Sequence, residues 1–200
     1  FNQESKSANP AIPRDNHANS QALNGASPST SNSKIAFFDP NLKPQSTELY
    51  PSHGGRVMGL SINTSSKTCV NVIPFGEDFE LEFEYEALTG LKDVATSCFI
   101  ANHTGRGIAG HTYPENMESM GSRRIPNIPE GARWKVRYGF RGCLWPGVYL
   151  ISGALLSFEG GSKKFVHRVI DYRALRIQDD PCVHPIGACA LKKSDAELIK

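Results

Sequence analysis

The residues whose chemistry most invites attention are spread thinly. Cys182, His184 and Cys189 are all metal-ligating types and lie close together in the chain. They offer three ligands at irregular spacing, stiffened by Pro181 and Pro185, and fall short of the four-ligand pattern of structural zinc. Ordinary reduced cysteines near a late strand are the simpler reading, and no metal is expected. His103, His111 and His167 are dispersed, so none is paired by spacing with a serine or cysteine nucleophile. The glycine-rich turn at Gly105-Arg-Gly107 lacks the GxxxxGK[ST] phosphate cradle, and neither HExxH nor GxSxG occurs. The sequence therefore points to no catalytic residue and no cofactor. Arg123 and Arg124 stand side by side in the long segment Tyr113 to Pro129. Such a pair can take a carboxylate or phosphate by bidentate hydrogen bonds, or simply be solvated.

The elements that must position these groups repeat with a period of two. In Phe79-Glu-Leu-Glu-Phe-Glu-Tyr-Glu86, the four apolar side chains share one face of a strand and the four glutamates the other. Trp134, Val136, Tyr138 and Phe140 repeat the pattern with Arg133, Lys135 and Arg137 outward. An acidic and a basic row match if the two strands are antiparallel neighbours, and this pairing is expected. It is preferred to an acid/base role for the glutamates. Further strands are expected at Arg56–Asn63, Ala95–Asn102, Gly107–Thr112, Val148–Ser157, Phe165–Tyr172 and Ala174–Gln178, with a late one at Ile186–Leu191. Turn signals such as Pro74-Phe-Gly76, Pro129-Glu-Gly131 and Trp145-Pro-Gly147 separate them. Seven or eight short strands without an amphipathic helix imply an all-β, two-sheet antiparallel sandwich.

On that reading Tyr149, Ile151, Gly153 and Leu155 face inward, and Ser152, Ala154 and Leu156 face out. With Ile100 inward, Ser97, Phe99 and Ala101 face out as well. An exposed aromatic beside small residues and hydroxyls suits a sugar ring, whose face stacks and whose hydroxyls hydrogen-bond. A register shifted by one residue instead puts Phe99 in the core.

The 200 residues carry a formal net charge of +2, too balanced for a nucleic-acid face, and no apolar run long enough to span a bilayer. Five cysteines without CxxC spacing favour a reducing compartment over a disulfide framework. Residues 1–33 are rich in Asn, Ser, Ala and Pro and read as a flexible linker, with the folded domain at 34–200. Ile35, Phe37 and Phe38 form the first apolar anchor. A start at Phe1 without Met suggests an excised or processed chain.

The order of motifs is similar to that of one family. It runs Gly54-Gly-Arg-Val57, Pro74-Phe-Gly-Glu77, Ile100-Ala-Asn-His-Thr-Gly105, Ile108-Ala-Gly-His-Thr112, Ile128-Pro-Glu-Gly131, Leu144-Trp-Pro-Gly-Val-Tyr149 and His167-Arg-Val-Ile-Asp-Tyr172. Over roughly Ser46 to Leu191 the chain resembles the C-terminal carbohydrate-binding domain of Wzt-type ATP-binding subunits, from ABC transporters that export lipopolysaccharide O-antigen. The resemblance implies an immunoglobulin-like or jelly-roll sandwich and a homodimer formed by exchange of a C-terminal strand. Ile186–Leu191, beyond the Pro181–Pro185 hinge, suits that exchange. It also implies recognition of the non-reducing end of the finished O-antigen polysaccharide. The partners would be an attached nucleotide-binding domain and a transmembrane permease, placing the domain in the cytoplasm at the inner membrane.

In an immunoglobulin-like order, Ala95–Asn102, Gly107–Thr112, Val148–Ser157 and Phe165–Tyr172 share a sheet. Its outward residues are Ser97, Phe99, Ala101, Ala109, His111, Ser152, Ala154 and Leu156, with His167 or Arg168 according to parity. Phe99 is expected to stack on a sugar, and His111 with His167 or Arg168 to bond hydroxyls or a charged cap. Rival readings are a secreted adhesin or accessory module of a polysaccharide-degrading enzyme, a dimerisation-only module, and a glycan-acting enzyme.

Overall fold

The structure, a computed structural model, describes residues 34–117 and 124–190. The expected linker at 1–33, Arg123 and the end from Leu191 onward lie outside the described residues. Ten strands follow in chain order: β1 Glu48–Leu49, β2 Gly55–Thr64, β3 Val72–Ile73, β4 Phe79–Ala87, β5 Leu91–Asn102, β6 Gly107–Tyr113, β7 Ile125–Ile128, β8 Arg133–Phe140, β9 Gly147–Ser157 and β10 Lys164–Ile177. One 3-10 turn, Glu159–Gly161, is the only helical element among the described residues. The larger sheet has the order β1-β10-β9-β5-β6, with β7 on β5 and β3 on β10; the smaller has the order β2-β4-β8. Every pairing is antiparallel except β3 with β10.

The period-two runs build the smaller sheet. Phe79, Leu81, Phe83 and Tyr85 of β4 are almost wholly buried. The partner strand supplies facing aromatics: Phe79 stacks on Phe140 at 5.3 Å, Tyr85 on Trp134 at 5.5 Å, and Phe83 meets Tyr138 edge-on at 6.0 Å. Each such pair adds about 0.5–1.5 kcal/mol beyond its buried area. On the opposite face the register sets Glu82 against Arg137, Glu84 against Lys135 and Glu86 against Arg133. Glu82 accepts from Lys135 Nζ at 2.8 Å and Arg137 Nε at 2.6 Å. Glu86 accepts from Arg56 at 2.6 Å and Arg133 at 2.9 Å. These bonds, from Lys135 and Arg137 to Glu82 and from Arg56 and Arg133 to Glu86, hold both carboxyls below the usual glutamate value.

Between the sheets, Tyr138 donates to Thr96 Oγ1 at 2.6 Å, a buried bond joining β8 to β5. Gly153 of β9 faces Phe83, and a Cβ placed on it would lie 2.4 Å from the Phe83 ring. The glycine is thus the recess that lets the two layers close. At one edge the ring of His167 joins the layers, its Nδ1 accepting from the Val57 amide at 3.1 Å. Burial, and secondarily the Arg56 charge, lowers the pKa of that imidazole.

Three expectations change. Phe165–Tyr172 and Ala174–Gln178 form one strand, β10, carrying register shifts at Phe165/His167 and Val169/Arg173. Asp171 in the second shift has φ 48°, and its amide donates to Ser152 Oγ, so an irregularity rather than a break divides the run. The segment Ile186–Ala190 makes no strand: Gly187 has φ 80°, Ile186 is 82% exposed, and Ala190 N bonds Cys143 O at 2.7 Å. The anchor at Ile35, Phe37 and Phe38 docks through its backbone, with Phe37 bridged to Val72 and Ala36 buried, while the three large side chains stay exposed. Among the described residues no helix is long and apolar enough to cross a membrane.

Candidate functional site

The larger sheet turns its outer face to solvent, and strand register decides what that face shows. Thr112 of β6 lies opposite Ser97 of β5, Ser97 opposite Ala154 of β9, and Ala154 opposite Arg168 of β10. The next outward row runs Gly110, Phe99, Ser152. The β5, β9 and β10 members of these rows line a groove of about 410 Å³, together with Ala101, Gly105, Phe165, Ile170 and Asp171. Ser152 and Ala154 are buried and make its floor. Phe99 and Phe165, at 46% and 47% exposure, present ring surface to it from two strands flanking β9. Phe99 lies against β6 because that strand offers glycine. A Cβ on Gly107 would stand 2.4 Å from the tip of the ring, and one on Gly110 3.6 Å from its side.

The irregularities of β10 shape the other flank. Between Phe165 and Arg168 an extra residue turns both Val166 and His167 inward, so Arg168 faces the groove. The Arg168 guanidinium lies over the rings of Tyr50 and Phe165, 5.6 and 5.4 Å from their centres. At the second irregularity, Asp171 accepts from Ser46 Oγ at 2.6 Å on its carboxylate and from Thr47 Oγ1 at 2.8 Å on its carbonyl. Asp171 is a non-glycine residue held in the left-handed region at the groove's edge, a conformation aspartate tolerates better than most.

Of the residues singled out from the sequence, Ser97, Phe99, Ala101, Ser152, Ala154 and Arg168 are brought together here. Five described positions are not. His111 pairs with the inward Cys98, and its ring packs 5.6 Å from Tyr138 and 6.5 Å from Phe140. The register shift beside Ile108 reverses the parity of β6 and turns Ala109 inward with it. His167 is the buried link to β2 already described. Leu156 faces out but is covered, clustering with Ala95, Met117, Ala154 and Phe158. Arg124 fastens that cover, its guanidinium 3.9 Å over the Phe158 ring and its Nε donating to Met117 O. It is an arginine used in packing, and its neighbour Arg123 is outside the described residues.

Sequence reasoning missed Gly107, Tyr50, Phe165 and Asp171. Only Gly107 carried a signal, as a glycine opening a strand. Among the described residues no three His, Cys, Asp or Glu side chains converge as metal ligands. Cys189 lies beside Cys143, and burial pushes the Cys143 thiol up. Burial also pushes the Cys98 thiol up to about 12, so it behaves as a core residue.

The groove lies on a two-sheet sandwich whose overall fold matches a solved domain. The sequence profile of the Wzt C-terminal domain matches residues 46–189. The chain belongs to the Wzt C-terminal domain family. A crystal structure of the C-terminal domain of Wzt superposes with a TM-score of 0.66 at 13% identity, covering 78% of this chain and 92% of that one. At that identity the likeness is one of fold. A Niemann-Pick type C2 protein from the Japanese carpenter ant reaches a TM-score of 0.38 at 13% identity, over 66% of this chain and 99% of its own. The Pseudomonas fluorescens alkylpurine DNA glycosylase AlkC, bound to DNA with an abasic-site analogue, also reaches 0.38, at 14% identity over 64% of this chain and 31% of its own. Scores this low carry no functional weight. No curated protein matches the chain. The Wzt C-terminal domain is non-catalytic, and membership is consistent with a place in an O-antigen ABC transporter.

Proposed function

We propose that this Wzt C-terminal domain binds the non-reducing end of an O-antigen polysaccharide and thereby selects finished glycan for export by an ABC transporter across the inner membrane. The observation that carries the reading is the outer groove. It has an exposed aromatic resting on glycine, a floor of Ser152 and Ala154, and hydrogen-bonding groups from Ser97, Arg168 and Asp171 around it. Phe99 stacks on a sugar ring, the small floor lets the ring approach the sheet, and the polar groups take its hydroxyls. The domain works beside a nucleotide-binding domain and a permease. It pairs with a second copy by exchanging Ile186–Leu191, a role that suits a stretch whose described residues, 186–190, form no strand and begin with an exposed isoleucine.

The test is titration with O-polysaccharide whose non-reducing end is intact or enzymatically trimmed. Binding to the intact polymer alone is expected; equal binding to both would remove end recognition. Deleting Ile186–Leu191 is expected to turn a dimer into a monomer in light scattering, and a dimer that persists would remove the exchange.

A further inference from the structure

The five cysteines are dispersed along the chain, and the fold brings two of them together. Cys143 lies between β8 and β9, and Cys189 belongs to the C-terminal segment. Three contacts lay that segment against its own domain. Ala190 N donates to Cys143 O at 2.7 Å, and among the described residues this is the one backbone hydrogen bond that 186–190 makes to the body. Gly187 and Ala188 line a cavity with Trp145, Gly147 and Tyr149 at the end of the sandwich. The Cys189 thiol comes within hydrogen-bonding reach of the Cys143 thiol, and both stand near the Tyr149 hydroxyl. Both cysteines are half-buried, so a small reagent can reach them, whereas Cys98 is closed into the core.

We propose that Cys143 and Cys189 are a redox-modifiable pair: oxidation joins them in a disulfide within one chain, which fastens the C-terminal segment to its own domain and withholds it from a second copy. The bond itself goes beyond glycan recognition, and its effect on assembly rests on the exchange reading above. The oxidant is a low-molecular-weight disulfide. Cys189 gives its proton to water and attacks one sulfur of the reagent, whose other sulfur leaves as a thiolate. Cys143 then loses its proton, attacks the Cys189 sulfur of the mixed disulfide and expels the second thiolate. Two electrons pass from the protein to the reagent, and the two expelled thiolates take up the two protons. Burial raises the Cys143 thiol, which suits it to the second step, where proximity makes up for a scarce thiolate. In a reducing compartment such a bond is transient and regulatory rather than structural.

The experiment equilibrates the whole chain with glutathione disulfide and reads it by light scattering, by non-reducing electrophoresis and by peptide mass after alkylation. Oxidation is expected to link the Cys143 and Cys189 peptides within a single chain and to convert dimer to monomer, and dithiothreitol to reverse both. Cys182 and Cys189 share a tryptic peptide, so mapping in C182S, which should respond as wild type does, assigns the link. C143S and C189S are expected to stay dimeric in the oxidant, with melting curves to confirm that each is folded. Unlinked Cys143 and Cys189, a link between two chains, or a linked chain that remains dimeric overturns the proposal. A chain that is monomeric before oxidant is added removes the exchange reading and the control of assembly with it, while the peptide map still reports whether the bond forms.

Discussion

At the scale of the residue, the groove depends on side chains that are missing as much as on those present. Phe99 keeps its position because Gly107 leaves room for its ring. F99A is expected to lower glycan affinity about tenfold, equivalent to about 1.4 kcal/mol, with little effect on melting because the ring is already half exposed. G107A should mimic this loss with Phe99 still present, because the new methyl displaces the ring. Calorimetric titration of the two variants checks both, and a G107A protein that binds normally would separate Phe99's placement from recognition. Phe99, Ser97, Ala101, Ser152 and Ala154 were legible in the sequence because the register of β5 with β9 runs without a shift from Val94 to Asn102. His111 and His167 were misplaced because a bulge adds one residue and reverses every side chain after it, and composition does not mark where it falls.

At the scale of the element, β4 and β8 were the most legible part of the chain. Their acidic and basic rows state both the strand faces and the partner, and the register pairs them as charge complementarity requires. The C-terminal segment was the least legible. Its apolar residues suggested a strand, but pairing needs a neighbour, and within one chain Gly187 and a single bond to Cys143 leave it irregular. The contact of β9 with β4 gives a sharper test. G153A is expected to destabilise the fold by about 1–3 kcal/mol through overpacking against Phe83, read as a lowered midpoint in urea. A neutral result would mean that the sheets separate more easily than their packing implies.

At the scale of the whole molecule, the environments of His167, Glu82 and Glu86 shift their pKa values in the same direction. The folded pKa of His167 is lowered, so the unfolded chain binds more protons and stability rises with pH. Its contribution is complete above about pH 6.5 and is lost as pH falls through the lowered folded value. Glu82 and Glu86 are lowered too, so their contributions are present above the ordinary glutamate value of 4.5 and are lost as pH falls through the lowered folded values. Denaturation measured from pH 8 to pH 3 should therefore show two descending stages. H167N, which keeps an acceptor for the Val57 amide without titrating, should abolish the first stage alone. An unchanged first stage in H167N would assign it to another group. The wall between Phe83 and the groove has a different consequence. Gly153 sits between Ser152 and Ala154, so the partition separating the interior from a bound ligand is a single bare backbone. Core and receptor surface therefore cannot drift apart in evolution: whatever reshapes the hidden ring at position 83 also reshapes the floor on which a ligand rests.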